Sequence, residues 1–373
     1  MFLSNLQKQP GEEGLDFLVR AILDYLTATR GLGSPEARIC YERAEPLCHS
    51  VNDPRLLCLV LIGRWRYTLM NEKLTATMQI AERVYSLARE QDDPTLMIAA
   101  YNGLAATLYF LGDFELGQQY AMRGVEIWRS GNVVPYAIED FHAPVVSCLY
   151  HGAMCEWHLG EIASCRAHMD EAISIAKELK DMNALALALG WAASLGILER
   201  NPAEVDRLAS ELIELCTRHG FVQLLTSANV LRGWARSASG VDAEGIPWIE
   251  QAIRDNRATG TVLGLSGALA LKSEALHLAD RTADALEAVS EAEALAERFE
   301  QRNFLSALHR RRGVFLAALG ADKTQIEASF SEAIRIAREQ KSFSLEKRAE
   351  DTYAEYRRLR ASSSEGRRFR LPL

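Results

Sequence analysis

The chain has 373 residues, 48% hydrophobic and 25% charged, with 10 prolines and 24 glycines, a composition that excludes fibrous and disordered classes. Its net charge of −8 and pI near 5.6 argue against general nucleic-acid binding. The longest strong apolar run, Leu56 to Ile62, has seven residues, against the ~18 of a membrane span. Seven cysteines without framework spacing fit free thiols in a reducing cytoplasm. The opening MFLSNLQKQPGEEG has no basic region leading into an apolar stretch, so cytoplasmic location is the expectation.

Residues 1–13 read as a lead-in. From about residue 14 a turn returns every 40 residues or so, at Gly31, Asn71, Gly112, Gly160, Asn201, Gly240, Asp280 and Gly320. A fixed period of this size marks a stacked repeat. Helical signals flank each anchor, such as Leu104, Ala105 and Leu108 before Gly112 and Leu116, Tyr120 and Ile127 after it. These spacings put apolar residues on one helical stripe. Asp53–Pro54 and Asp93–Pro94 read as N-caps followed by proline at the first helical position. The 48-residue gap from Gly112 to Gly160 holds an extra stretch over 131–144, punctuated by Gly131, Pro135 and Pro144. It reads as a loop on the binding face. Residues 14–340 thus form one repeat domain of eight helix hairpins. A capping helix follows within 341–361, spanning Ser344 to Arg360, and 362–373 forms a basic disordered tail.

Small residues recur in the same register. They stand seven before the anchor (Ala105, Ala153, Gly233, Ser273, Gly313), five after it (Ala76, Gly117, Cys165, Gly245, Ala285) and twelve after it (Gly124, Ala172, Ala252, Ala292). Small side chains are needed where helix backbones approach closely. This three-site pattern resembles the tetratricopeptide repeat, which implies an all-α, right-handed α-solenoid. Several segments resemble the C-terminal tetratricopeptide-like region of bacterial signalling proteins that carry adenylate cyclase and AAA-type ATPase modules, with the maltose-type activators more distant. They include Tyr41-Glu-Arg-Ala44, Gly63-Arg-Trp-Arg66, Gly103 to Gly112, Leu231-Arg-Gly-Trp-Ala235 and Arg257-Ala-Thr-Gly260. Ala143 and Val145 stand where that family usually has Asp and Gly around the proline. No G-x-x-x-x-G-K-[ST] loop occurs, so no Walker-type nucleotide site is expected.

Candidate partner-binding residues follow from the register. In tetratricopeptide hairpins the first helices line a concave groove at positions 13, 10, 6, 3 and 2 before the anchor. Trp65, Asn102, Tyr109, Phe110, Tyr150, Met154, Trp157, His158, Trp191 and Trp234 occupy these places. Aromatic and methionine side chains offer large contact area with polar handles. The plainer reading is that these rings only pack neighbouring helices. Cys148, His151, Cys155 and His158, followed by Cys165 and His168, are soft metal-ligand types. Four groups along one straight helix cannot surround an ion, so no metal is expected. The 341–373 segment carries a net +4 and reads as a solvated cap and tail.

There is no G-x-S-x-G, H-E-x-x-H or dinucleotide fingerprint, so neither catalytic residues nor a cofactor are expected. The expectation is a non-catalytic interaction module in bacterial signal transduction. Its partner would be a protein or peptide, such as a separately encoded ATPase or cyclase. The alternatives are a small-molecule sensor and the remnant of a larger regulator.

Overall fold

The computed structural model describes residues 35–51, 53–131, 143–240 and 245–362. Among these it holds sixteen α-helices and no strand. The first helix expected before Gly31, most of the 131–144 loop and the tail beyond 362 lie outside the described residues. After α1 (Pro35–Val51) come seven hairpins. They pair α2 (Pro54–Asn71) with α3 (Leu74–Gln91), α4 (Pro94–Leu111) with α5 (Phe114–Arg129), and α6 (Pro144–His158) with α7 (Ile162–Glu178). Next come α8 (Met182–Leu198) with α9 (Pro202–His219), and α10 (Val222–Ala238) with α11 (Gly245–Thr259). The last two pair α12 (Leu265–Leu278) with α13 (Thr282–Phe299), and α14 (Leu305–Leu319) with α15 (Lys323–Glu339). Helix α16 (Phe343–Ala361) follows. The chain is an all-α solenoid of tetratricopeptide type.

Local chemistry sets the helix ends. Asp53 accepts the Leu56 N–H at 3.0 Å and Asp93 accepts that of Thr95 at 2.8 Å, each ahead of the expected proline. The capping oxygen satisfies a backbone donor that has no partner within the helix. Gly112, Gly160, Gly240 and Gly320 adopt φ between +69° and +83° at the hairpin turns, a conformation that costs glycine little. Asp280 takes the same left-handed conformation with φ +59°. Asn71 closes α2. Asn201 caps α9, and the left-handed residue there is Arg200 with φ +62°.

The two helices of a hairpin have different surroundings. Second helices bury one stripe: in α5, Phe114, Gly117, Ala121, Gly124 and Val125 are buried at spacings of three and four. First helices are packed on several sides. In α6 every residue from Val145 to His158 is buried. Helix α4 is long and apolar enough to cross a membrane, but 72% of it is buried inside the protein, as a core first helix requires. The small-residue register marks the close approaches. A Cβ on Gly233 would sit 2.6 Å from the Gly245 carbonyl oxygen. Thr77, not Ala76, is the fully buried residue near that position in α3.

The coil turns far enough to touch itself. The Met70 carbonyl accepts the N–H groups of Val262 and Leu263 at 2.9 and 3.0 Å. The Phe110 carbonyl accepts those of Arg302 and Asn303 at 2.7 and 3.3 Å. The separations 70 to 262 and 110 to 302 are both 192 residues. With a 40-residue hairpin, a little under five hairpins complete one turn. Hairpin ends of one turn thus stack on the loops entering α12, α14 and α16 in the next.

Candidate ligand-docking interior

The first helices pack on one another from hairpin to hairpin, and all ten candidate residues lie on them. The structure buries Trp65, Asn102, Tyr109, Phe110, Tyr150, Met154, Trp157, His158 and Trp234, and leaves Trp191 partly buried. Four rings converge around Trp191. Tyr150 stacks on it with centroids 5.4 Å apart and planes at 15°. Tyr109 meets it edge-on at 5.5 Å, His151 edge-on at 5.1 Å, and Phe110 lies at 6.1 Å. These residues come from α4, α6 and α8, so consecutive hairpins assemble one aromatic nest. Trp65 stands apart, donating its indole N–H to Thr107 Oγ1 at 3.0 Å.

Several polar groups in and beside the nest have neighbours as partners. Tyr150 donates to Ser147 Oγ at 2.8 Å, and burial pushes its hydroxyl up to about 12. His151 Nδ1 lies 3.2 Å from Asn102 Oδ1. His158 stacks on Phe114 at 3.7 Å, and its Nδ1 is 2.8 Å from Ser342 Oγ on the next turn of the coil. Burial lowers His151 and His158 to about 3, with Arg348 adding to the effect at His158. Both imidazoles are therefore neutral at physiological pH. The soft-ligand residues face different elements. Cys148 lies against Ile98 and Gly124, Cys155 against Gly117, and His168 bonds Glu156 at 2.9 Å.

Toward the C-terminus the inner face becomes charged. Glu274 of α12 is fully buried and takes Arg200 at 2.6 Å and Arg311 at 3.2 Å. Arg310 donates to Thr352 Oγ1 at 3.3 Å, and Arg348 to the Leu198 carbonyl at 2.6 Å. Arg200 lies over the Trp234 ring and Arg348 over Trp157, both 5.4 Å from the centroid. Glu274 and the arginines lie outside the ten candidates expected from the sequence. The signal is nonetheless in the sequence: Glu274 stands six before Asp280 and Arg310 ten before Gly320. Arg200 and Arg348 carry no comparable mark, because the coil's closure brings them in.

The family of anaphase-promoting complex subunit 5 matches residues 140–197 and 280–347. A Rhizobium meliloti (strain 1021) protein, Uncharacterized protein R02095, is 22% identical over 333 residues, 88% of this chain and 32% of its own length. The chain therefore spans about a third of that relative. Among solved structures, a Rap protein complexed with competence and sporulation factor has a TM-score of 0.57 at 12% identity, covering 94% of this chain and 99% of its own. NprR in complex with its cognate peptide NprX has 0.53 at 12%, covering 92% and 99%. The human IFIT1 dimer with PPP-AAAA has 0.52 at 14%, covering 96% and 80%. This likeness establishes the helical-repeat fold. Such different ligands on one fold leave function to the site itself.

Proposed function

We propose that the chain is a non-catalytic docking module whose inner face receives a short peptide or a segment of a partner protein. The observation that carries this reading is the aromatic nest of Tyr109, Tyr150, His151 and Trp191, where rings with polar handles from three hairpins converge on the inside of the coil. The peptide complexes of Rap and NprR are in keeping with it. The bacterial-signalling resemblance suggests that the partner belongs to a regulator with an ATPase or cyclase module.

A second reading, a small-molecule sensor, draws support from enclosure: nine of the ten inner-face residues named above are buried, as in a polar–aromatic pocket. One experiment addresses both. Candidate partners recovered from native extract, and low-molecular-weight fractions of the same extract, are titrated calorimetrically into wild type, Tyr150→Phe and the exposed control Glu214→Gln. Weaker binding by Tyr150→Phe alone supports docking at the nest, and the active fraction tells peptide from small molecule. Equal affinity for all three proteins removes the nest from the site.

A further inference from the structure

The contact between turns of the coil has a fixed register. Leu69, Phe110 and His158 each stand two residues before a hairpin anchor and are 5%, 7% and 0% exposed. The loops entering α12, α14 and α16 close over these hairpin ends. Met70, Leu111 and Leu159, one residue before the same anchors, are partly buried. Among the described residues no later turn covers the hairpin ends at Gly240, Asp280 and Gly320. There the same register opens to water. Leu278, two before Asp280, is 47% exposed, and Leu319, one before Gly320, is 38% exposed. Single exposed leucines are ordinary on a protein surface. These two differ because they occupy the positions through which the fold stacks one turn on the next. An end repeat also needs a polar outer face to stay in solution, and leucine works against that.

The matching surface lies on the entering loops. Val262 and Arg302, whose N–H groups meet the hairpin ends of the turn before, stand 40 residues apart. Val222 stands 40 before Val262, opens α10 and is 66% exposed. Both halves of the contact between turns are therefore present in exposed form. We propose that a second copy of this chain stacks its entering loops on the hairpin ends at Asp280 and Gly320, continuing the coil head to tail. The existing seam selects a copy over other occupants. The chain makes this contact with itself at three successive hairpins, through Met70 and Val262, Phe110 and Arg302, and His158 and Ser342. A copy brings the loop geometry that such hairpin ends already accept. The two surfaces are different, so each added copy leaves one of each free and growth is open-ended. The inference goes beyond docking at the aromatic nest and does not depend on it; either stands if the other fails.

The test is sedimentation velocity of the 373-residue chain from about 1 μM to about 100 μM, the range of modest protein–protein affinities. The average mass of wild type is expected to rise with concentration past that of a dimer. One variant carries Leu278→Asp with Leu319→Asp, and a second carries Val222→Asp. Each is expected to stay monomeric throughout and to melt with wild type, because all three side chains are exposed. Leu278→Ala with Leu319→Ala, which adds no charge, should weaken association in the same direction. Mixing the two Asp variants restores one compatible contact, the intact hairpin ends of one with the intact loop of the other. The mixture should form a dimer and grow no further. A monomeric wild type overturns the proposal and leaves the edge to a different helical-repeat chain. A wild type that stops at a dimer, or a mixture that stays monomeric, also overturns it, because either marks contact between like surfaces. Association of either Asp variant at wild-type strength places the contact elsewhere and overturns it as well.

Discussion

The carbonyl of Phe110 accepts the backbone N–H of Arg302 at 2.7 Å, joining residues 192 positions apart. Side chains reinforce this seam. Glu300 accepts from the Thr75 hydroxyl at 2.6 Å, Lys341 meets Glu115 at 2.5 Å, and Gln340 donates to the Arg302 carbonyl at 2.9 Å. Glu300 and Lys341 adopt φ of +64° and +53°, a conformation glycine takes more easily. At these loops the chain carries long side chains that reach across to the neighbouring turn.

The seam is tested by two glycines in the same backbone conformation. Gly112 and Gly220 have φ of +82° and +73°. A Cβ on Gly220 meets nothing within 4 Å, whereas one on Gly112 runs into the Gln340 side chain and lies 3.4 Å from Arg302 Cβ. Gly220→Ala is expected to cost about 1–2 kcal/mol from the left-handed backbone alone. Gly112→Ala should cost more, in denaturant midpoints measured side by side. Equal losses would mean the seam yields without resistance.

Close backbone contact inside a hairpin gives a second prediction. Gly233 of α10 and Gly245 of α11 pack backbone against backbone. Gly233→Ala should force the two helices apart and lose roughly 1–3 kcal/mol, read from the thermal midpoint. Ala172, fully buried in α7, should respond similarly to Ala172→Leu. An unchanged midpoint in either would show slack at that contact.

Acid should unfold the chain through its neutral histidines. The folded values of His151 and His158, about 3, lie below their ordinary 6.5. The unfolded chain therefore binds protons first. Their stabilising contribution is complete above pH 6.5 and is lost as pH falls from there toward 3, by an amount on the order of a few kcal/mol. His168 has the opposite sign. Its bond to Glu156 raises its value, so its contribution is complete below pH 6.5 and fades as pH rises above that. Urea melts from pH 8 to 4 check this, and His158→Gln should flatten the acid limb.

All seven cysteines are buried, and burial raises the Cys48 and Cys216 thiols to about 11. Thiolate is the reactive form. A disulfide reagent should label the native chain slowly and all seven sites after denaturation. Rapid labelling of several sites under native conditions would indicate frequent local opening.

Periodicity made much of this fold legible. The turn anchors, the Asp–Pro helix starts, the small-residue register and the final helix reflect local rules of backbone conformation and helix packing that act within about 40 residues. The ten inner-face candidates were readable as positions for the same reason. The convergence of Tyr109, Tyr150 and Trp191 was not, because it depends on the angle between successive hairpins.

What the sequence determined by itself is therefore the repeating unit: an all-α hairpin and its breaks. Tertiary structure alone decided how far the coil winds before meeting itself. That angle is a sum of small rotations between hairpins, each set by side-chain packing that no single repeat reveals. The sum comes to a little under five hairpins per turn. At that value Met70 meets Val262, His158 meets Ser342, and Arg348 comes to rest over Trp157 near Arg200 and Glu274.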